Sequence, residues 1–102
     1  MMTHSVYFWL EPSLTPLQKA EFERGLKALF KIEMVSAGRF GKAADTPTRS
    51  VTRNTFDYAL FLEFDSVKAH NAYQEHRDHE AFVSKFSPWF RKVRVFDTRI
   101  SD

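Results

Sequence analysis

The sequence predicts an α+β domain: a four-stranded antiparallel sheet of ferredoxin-like topology with its helices on one face. Three observations carry this. Apolar residues alternate with period two over 4–10 and 56–64, but recur at helical spacing over 22–30 and 69–86. The elements follow one another as β-α-β-β-α-α-β. Right-handed crossovers then place all four strands in one antiparallel sheet. At 102 residues, the whole chain (1–102) reads as a single domain with room for a real core.

The first strand, 4–10, sets His4, Val6, Phe8 and Leu10 on one face and Ser5, Tyr7 and Trp9 on the other. Glu11-Pro12-Ser13 breaks it. Thr15 then caps a helix, with Pro16 at its first position and Gln18 three residues after the cap. Phe22, Leu26, Leu29 and Phe30 fall within an arc of about 100°, the stripe of a helix lying on a sheet. Gly25 beside that stripe permits close approach, and the helix is expected to end near Ile32.

Residues 35–43 read as a second strand, weakened by Gly38 and Gly41, and 44–55 as a polar loop containing Pro47. The third strand, 56–64, carries Tyr58, Leu60, Leu62 and Phe64 on one face. Ser66 offers an N-cap for a short helix presenting Ala69, Ala72, Tyr73 and His76. Asp78 is expected to cap a further helix presenting His79, Phe82, Val83 and Phe86, which Ser87-Pro88 stops. Val93, Val95 and Phe96 mark the last strand, among Arg91, Lys92, Arg94 and Arg99.

Composition narrows the function. With no cysteine, disulfides, thiolate catalysis and cysteine-based zinc sites are excluded. The first ten residues lack a basic leader and read as a strand, not a signal peptide. No apolar run reaches membrane-spanning length. The net charge of +2 is modest and its cations are scattered among acids, so neither nucleic acid nor a membrane is an expected partner. A cytoplasmic location is expected. Eleven Phe, three Tyr and two Trp exceed what a small core needs and point to a pocket or an interface. Helices on one face leave Ser5, Tyr7, Trp9, Ala59 and Phe61 bare, a patch that a second copy would cover in a closed twofold homodimer.

Histidine is the side chain that normally changes charge near neutral pH, and His79 falls on an apolar helix face. At the first turn of a helix it feels the positive dipole end, which favours the neutral imidazole. It then either serves as a general base or packs with a hydrogen bond to backbone or to Tyr73. Tyr73 either donates to a substrate oxygen or packs likewise. His76 reads as a residue of the helix junction. Metal ligation through His76 and His79 is the weaker reading, because zinc takes three or four ligands.

The segments His4-Ser5-Val6-Tyr7-Phe8, 56–64, Tyr73 to Phe82 with His76 and His79, and Val93-Arg94-Val95-Phe96-Asp97 together resemble the stress-responsive A/B barrel (Dabb) family. Arg77 stands where that family commonly has Pro. The resemblance implies a dimeric α+β barrel with a pocket between sheet and helices in each subunit. One plant branch, the polyketide cyclases, closes a carbon–carbon bond there without metal or organic cofactor. His4, Tyr73 and His79 match its polar pocket residues; Tyr58 stands in place of a His, and Leu26 in place of a Tyr. Some members hold a metal near the end of the first helix through backbone groups.

Two functions are therefore expected. One is a cofactor-independent lyase, cyclase or other proton-transfer enzyme acting on a small apolar carbonyl compound. Its catalytic residues are His79, Tyr73 and His4, with Tyr58, Phe22, Leu26 and Phe82 against the substrate and no metal. The other is a non-catalytic, stress-associated dimer that binds a small apolar ligand. An open pocket lined by His4, Tyr58, Tyr73 and His79 supports the first; a filled, dry interior supports the second.

Overall fold

A computed structural model describes residues 1–101; Asp102 lies outside them. Successive side chains of a strand point to opposite faces. In β1 (Met2–Leu10) this buries Met2, His4, Val6, Phe8 and Leu10 and leaves the residues between them half-buried. The strand is the hub of the sheet. β3 (Tyr58–Phe64) and β4 (Phe90–Arg99) flank it, and β2 (Ala37–Gly41) lies outside β3, giving the order β2-β3-β1-β4 with every pair antiparallel. Three helices, α1 (Pro16–Leu29), α2 (Val67–Glu75) and α3 (Arg77–Phe86), cover one face, and a 3₁₀ turn (Ser87–Trp89) leads into β4. The arrangement is ferredoxin-like, as the element order predicts.

The helix starts follow the sequence. Thr15 accepts from the Gln18 amide at 3.1 Å while the Gln18 side chain takes the Thr15 amide at 2.8 Å, so two orphan donors are satisfied reciprocally. Phe22 and Leu26 are wholly buried, and Leu29 nearly so. Each contributes about 1.5–3 kcal/mol of apolar burial. Gly25 admits the Phe86 ring: a Cβ there would stand 2.4 Å from Phe86 Cε2. α1 ends earlier than expected, at Leu29. The chain tightens into i→i−3 bonds from the Phe30, Lys31 and Ile32 amides, and buried Ile32 closes the turn.

Other boundaries also move. β1 gains Met2 and Thr3, which pair with Phe64 and Glu63. β2 shrinks to five residues, all of them paired with β3. The Phe30 ring sits on it so closely that a Cβ at Gly38 would lie 2.3 Å from Phe30 Cδ1. β3 begins at Tyr58, since Phe56 leaves the ladder for the far face of the sheet, its ring 4.9 Å from that of Tyr7.

At the α2–α3 junction, His76 is extended (φ −68°, ψ 138°) and its own Nδ1 accepts from the Asp78 amide at 3.0 Å. His76 is thus the N-cap that the sequence reading gave to Asp78. Asp78 and Glu80 lie in the first turn instead, where they complement the helix dipole.

On the face away from the helices, Tyr7 gathers Phe56, Phe61 and Phe96 at 4.9–6.1 Å in edge-to-face geometry. Phe96 is 58% exposed. Trp9 donates Nε1–H to Thr55 Oγ1 at 2.9 Å and carries the Lys92 ammonium 4.7 Å above its ring. The loop before β3 shields part of this aromatic face, and the β4 side remains open.

Candidate functional site

Between the β1–β4 side of the sheet and the α2–α3 helices lies a cavity of about 210 Å³. Its polar lining comes from His4, Tyr73, Gln74 and His79, and its apolar lining includes Phe8 and Phe82. Val83 and Val95, 40% and 48% exposed, bring its rim to solvent.

Each polar residue is set by its element. His4 is an inward position of β1 and, among the described residues, the one buried polar or charged residue. Register places it opposite Asp97 of β4, whose Oδ1 lies 2.5 Å from His4 Nδ1. A carboxylate accepts, so this nitrogen carries the proton. Burial pulls the His4 pKa down, and the Asp97 hydrogen bond and charge oppose it.

His79 occupies the first turn of α3, and its Nδ1 lies 3.1 Å from the Gln74 carbonyl. A carbonyl can only accept, so Nδ1–H donates and, in the neutral ring, Nε2 keeps its lone pair. Burial is the largest influence on its pKa and lowers it from 6.5. The Gln74 bond opposes the shift, while the nearby His4 and His70 add to it.

Tyr73, at the end of α2, is 1% exposed, and its ring centroid is 4.7 Å from that of His79 at 55°. Burial alone raises its pKa, with no hydrogen bond contributing. The two rings are tilted against each other, and since the imidazole N–H goes to the Gln74 carbonyl and no hydrogen bond acts on Tyr73, the phenol is not spent on the imidazole. The site thus joins a neutral imidazole of fixed tautomer to a phenolic donor, the pair needed to take a proton from carbon and hold the resulting oxyanion.

Of the residues the sequence placed against the substrate, Phe82 lines the cavity. Tyr58, Phe22 and Leu26 do not. The Tyr58 hydroxyl donates to Glu23 Oε2 at 2.6 Å, and its ring packs on Phe22 at 5.2 Å and Phe40 at 6.2 Å. Burial and that hydrogen bond raise its pKa. Phe22 and Leu26 belong to the filled core beneath α1. The reason is topological: Tyr58 lies toward β2, whereas the cavity lies toward β4. His76 turns away as a cap, its Nε2 3.9 Å from Glu33. Sequence reasoning missed Asp97, Gln74 and His70, whose ring tilts against His4 at 4.8 Å. His70 precedes Tyr73 by three residues, a helical spacing that could have revealed it.

The sequence profile of the Stress Responsive A/B Barrel Domain matches residues 2–100. No curated protein matches the chain in sequence. Among solved structures, a hydroxynitrile lyase from Passiflora edulis is 18% identical, with a TM-score of 0.85 over 99% of this chain and 94% of that one. A Dabb family protein with a ferredoxin-like fold from Mesorhizobium loti is 23% identical (TM-score 0.79; 99% and 97% covered). A dimeric ferredoxin-like protein from Thermobifida fusca is 22% identical (TM-score 0.79; 97% and 90% covered). These structures share the fold. The profile match runs from the start of β1 past the end of β4, and with it the chain belongs to the stress-responsive A/B barrel domain family.

Proposed function

We propose that this protein is a cofactor-independent proton-transfer enzyme, a lyase or cyclase, acting on a small, largely apolar carbonyl compound. The observation that carries the reading is the Nδ1–H bond from His79 to the Gln74 carbonyl, which leaves Nε2 of a neutral ring as the base beside Tyr73. His79 Nε2 takes a proton from the carbon next to the carbonyl. The C–H electron pair forms a carbon–carbon double bond, the carbonyl π pair moves onto oxygen, and the Tyr73 hydroxyl donates to the resulting enolate oxygen. The imidazolium keeps its Nδ1–H on Gln74 and later returns the Nε2 proton. His4, held by Asp97, fixes the polar end of the cavity. At about 210 Å³ the space suits a compound smaller than most drug-sized ligands.

The aromatic face that includes Tyr7, Phe61 and half-exposed Phe96 supports a homodimer formed sheet to sheet. A single domain over 1–102 and a cytoplasmic location complete the proposal; no helix of the described residues is long and apolar enough to cross a membrane.

A second reading is a small-ligand-binding dimer without turnover, favoured by His4 being already paired with Asp97. The test is hydrogen–deuterium exchange of small alkyl and aryl ketones in D₂O containing EDTA, followed by proton NMR. Exchange that His79→Ala abolishes supports the enzyme. Saturable ketone binding with no exchange above buffer supports the second reading.

A further inference from the structure

We infer that His4, His70 and Asp97, brought together from β1, α2 and β4, form a three-ligand site for a divalent transition ion of the zinc and cobalt class. One ligand atom from each lies within 4.8 Å of the other two. Asp97 Oδ1 is 2.5 Å from His4 Nδ1 and 3.9 Å from His70 Nε2. Tetrahedral coordination at zinc–nitrogen and zinc–oxygen bond lengths separates ligand atoms by about 3.3–3.4 Å, a value between those two distances. Asp97 is the most exposed of the three, with 44% of its side chain accessible, so its carboxylate can rotate to admit the ion.

The surroundings are those of a ligand set. His70 Nδ1 faces Asn71 Oδ1 at 3.0 Å; an amide oxygen accepts, so Nδ1 carries the proton and Nε2 offers its lone pair toward Asp97. A ligating histidine usually donates its other ring N–H to such an acceptor, which fixes its tautomer. The Nε2 atom has only a long 3.4 Å approach from Gln74 Nε2. The Phe64 ring stands edge-on to both imidazoles, at 6.3 Å from His4 and 5.4 Å from His70, and walls the site with hydrocarbon. The ion takes the place of the His4 Nδ1 proton, which passes to Nε2 of the same ring, so that two neutral imidazoles and one carboxylate meet the dication. Two histidines and one carboxylate leave a coordination position for water.

The inference stands apart from the His79 reading, although His4 borders both. The test uses the full-length protein, stripped with chelator and titrated with Co²⁺ alone. One Co²⁺ per chain should bind with visible d–d absorption, and Zn²⁺ should displace it. Paramagnetic broadening should reach the His4 and His70 ring signals and leave those of His76 sharp. His70→Ala and Asp97→Asn, at positions that are not fully buried, should each weaken binding at least about 10-fold, with circular dichroism confirming the fold. His76→Ala should bind as the parent does. Absence of saturable Co²⁺ binding to the parent, or binding that survives both ligand substitutions, overturns the site. The readout needs no substrate, so it is independent of the ketone-exchange result.

Discussion

The Tyr73 and His79 rings lie 4.7 Å apart at 55°, close enough to pack but not arranged as donor and acceptor. The His79 proton goes instead to the Gln74 carbonyl. Base and phenol are therefore both available to a third molecule. His79→Ala should lower any turnover found by about 100- to 10,000-fold, the usual share of general base catalysis. Tyr73→Phe should cost less, about 10- to 100-fold, the worth of a hydrogen bond to a charged oxygen. Steady-state rates on one ketone decide the order.

Acid should weaken the fold through His79. Burial lowers its folded pKa below the ordinary 6.5, against the opposing pull of Gln74 and Glu80. The unfolded chain then takes a proton first. The stabilising contribution is complete above about pH 6.5 and is lost as pH falls below it toward the folded value. Denaturant midpoints from pH 8 to 5 should decline, and less steeply in His79→Ala. NMR titration of the ring gives the direct answer: a His79 pKa above 6.5 removes the argument.

Gly25→Ala should destabilise the protein by about 1–3 kcal/mol despite the better helix propensity of alanine. The new Cβ would meet Phe86 Cε2 at 2.4 Å. Moving that ring would disturb its packing on Phe22, Phe82 and Trp89, whose ring centroids lie 5.0–5.3 Å away. Chemical denaturation measures the loss, and a neutral or stabilising result would show the ring to be free.

Phe96→Asp should convert a dimer to 12.0 kDa monomers in light scattering. The side chain is 58% exposed in the isolated chain, so the charge costs the subunit little and the sheet-to-sheet contact much. A parent protein that already runs as a monomer would refute the dimer.

Tyr58→Phe should cost about 1.5–3 kcal/mol through the lost hydrogen bond to the Glu23 carboxylate, with no change in ketone exchange. The phenol is bound on the β2 side of the core, away from the cavity. A large loss of activity would return Tyr58 to the site.

The contrast between Tyr58 and Asp97 shows where sequence reading stops. Period two in β1 and the Thr15–Gln18 box are local, so strand and helix could be read from neighbouring residues. His4, Tyr73 and His79 could be placed inward by the same periodicity. Asp97 joins His4 only through the β1–β4 register, which neither strand reveals alone. Tyr58 had the right face, but which end of the core it reached depended on strand order. The short β2 reflects the Phe30 ring seated on Gly38, a contact between separate elements.

The interruption at His76 has a chemical effect on its neighbours. In an unbroken helix the Gln74 carbonyl would accept from the Asp78 amide. Here the His76 ring takes that amide, and the released carbonyl receives the His79 proton. A gap in one backbone ladder thus selects which nitrogen of another residue is basic. Substitutions at 76–78 that mend the helix would reprogram the imidazole without altering one atom of the cavity wall.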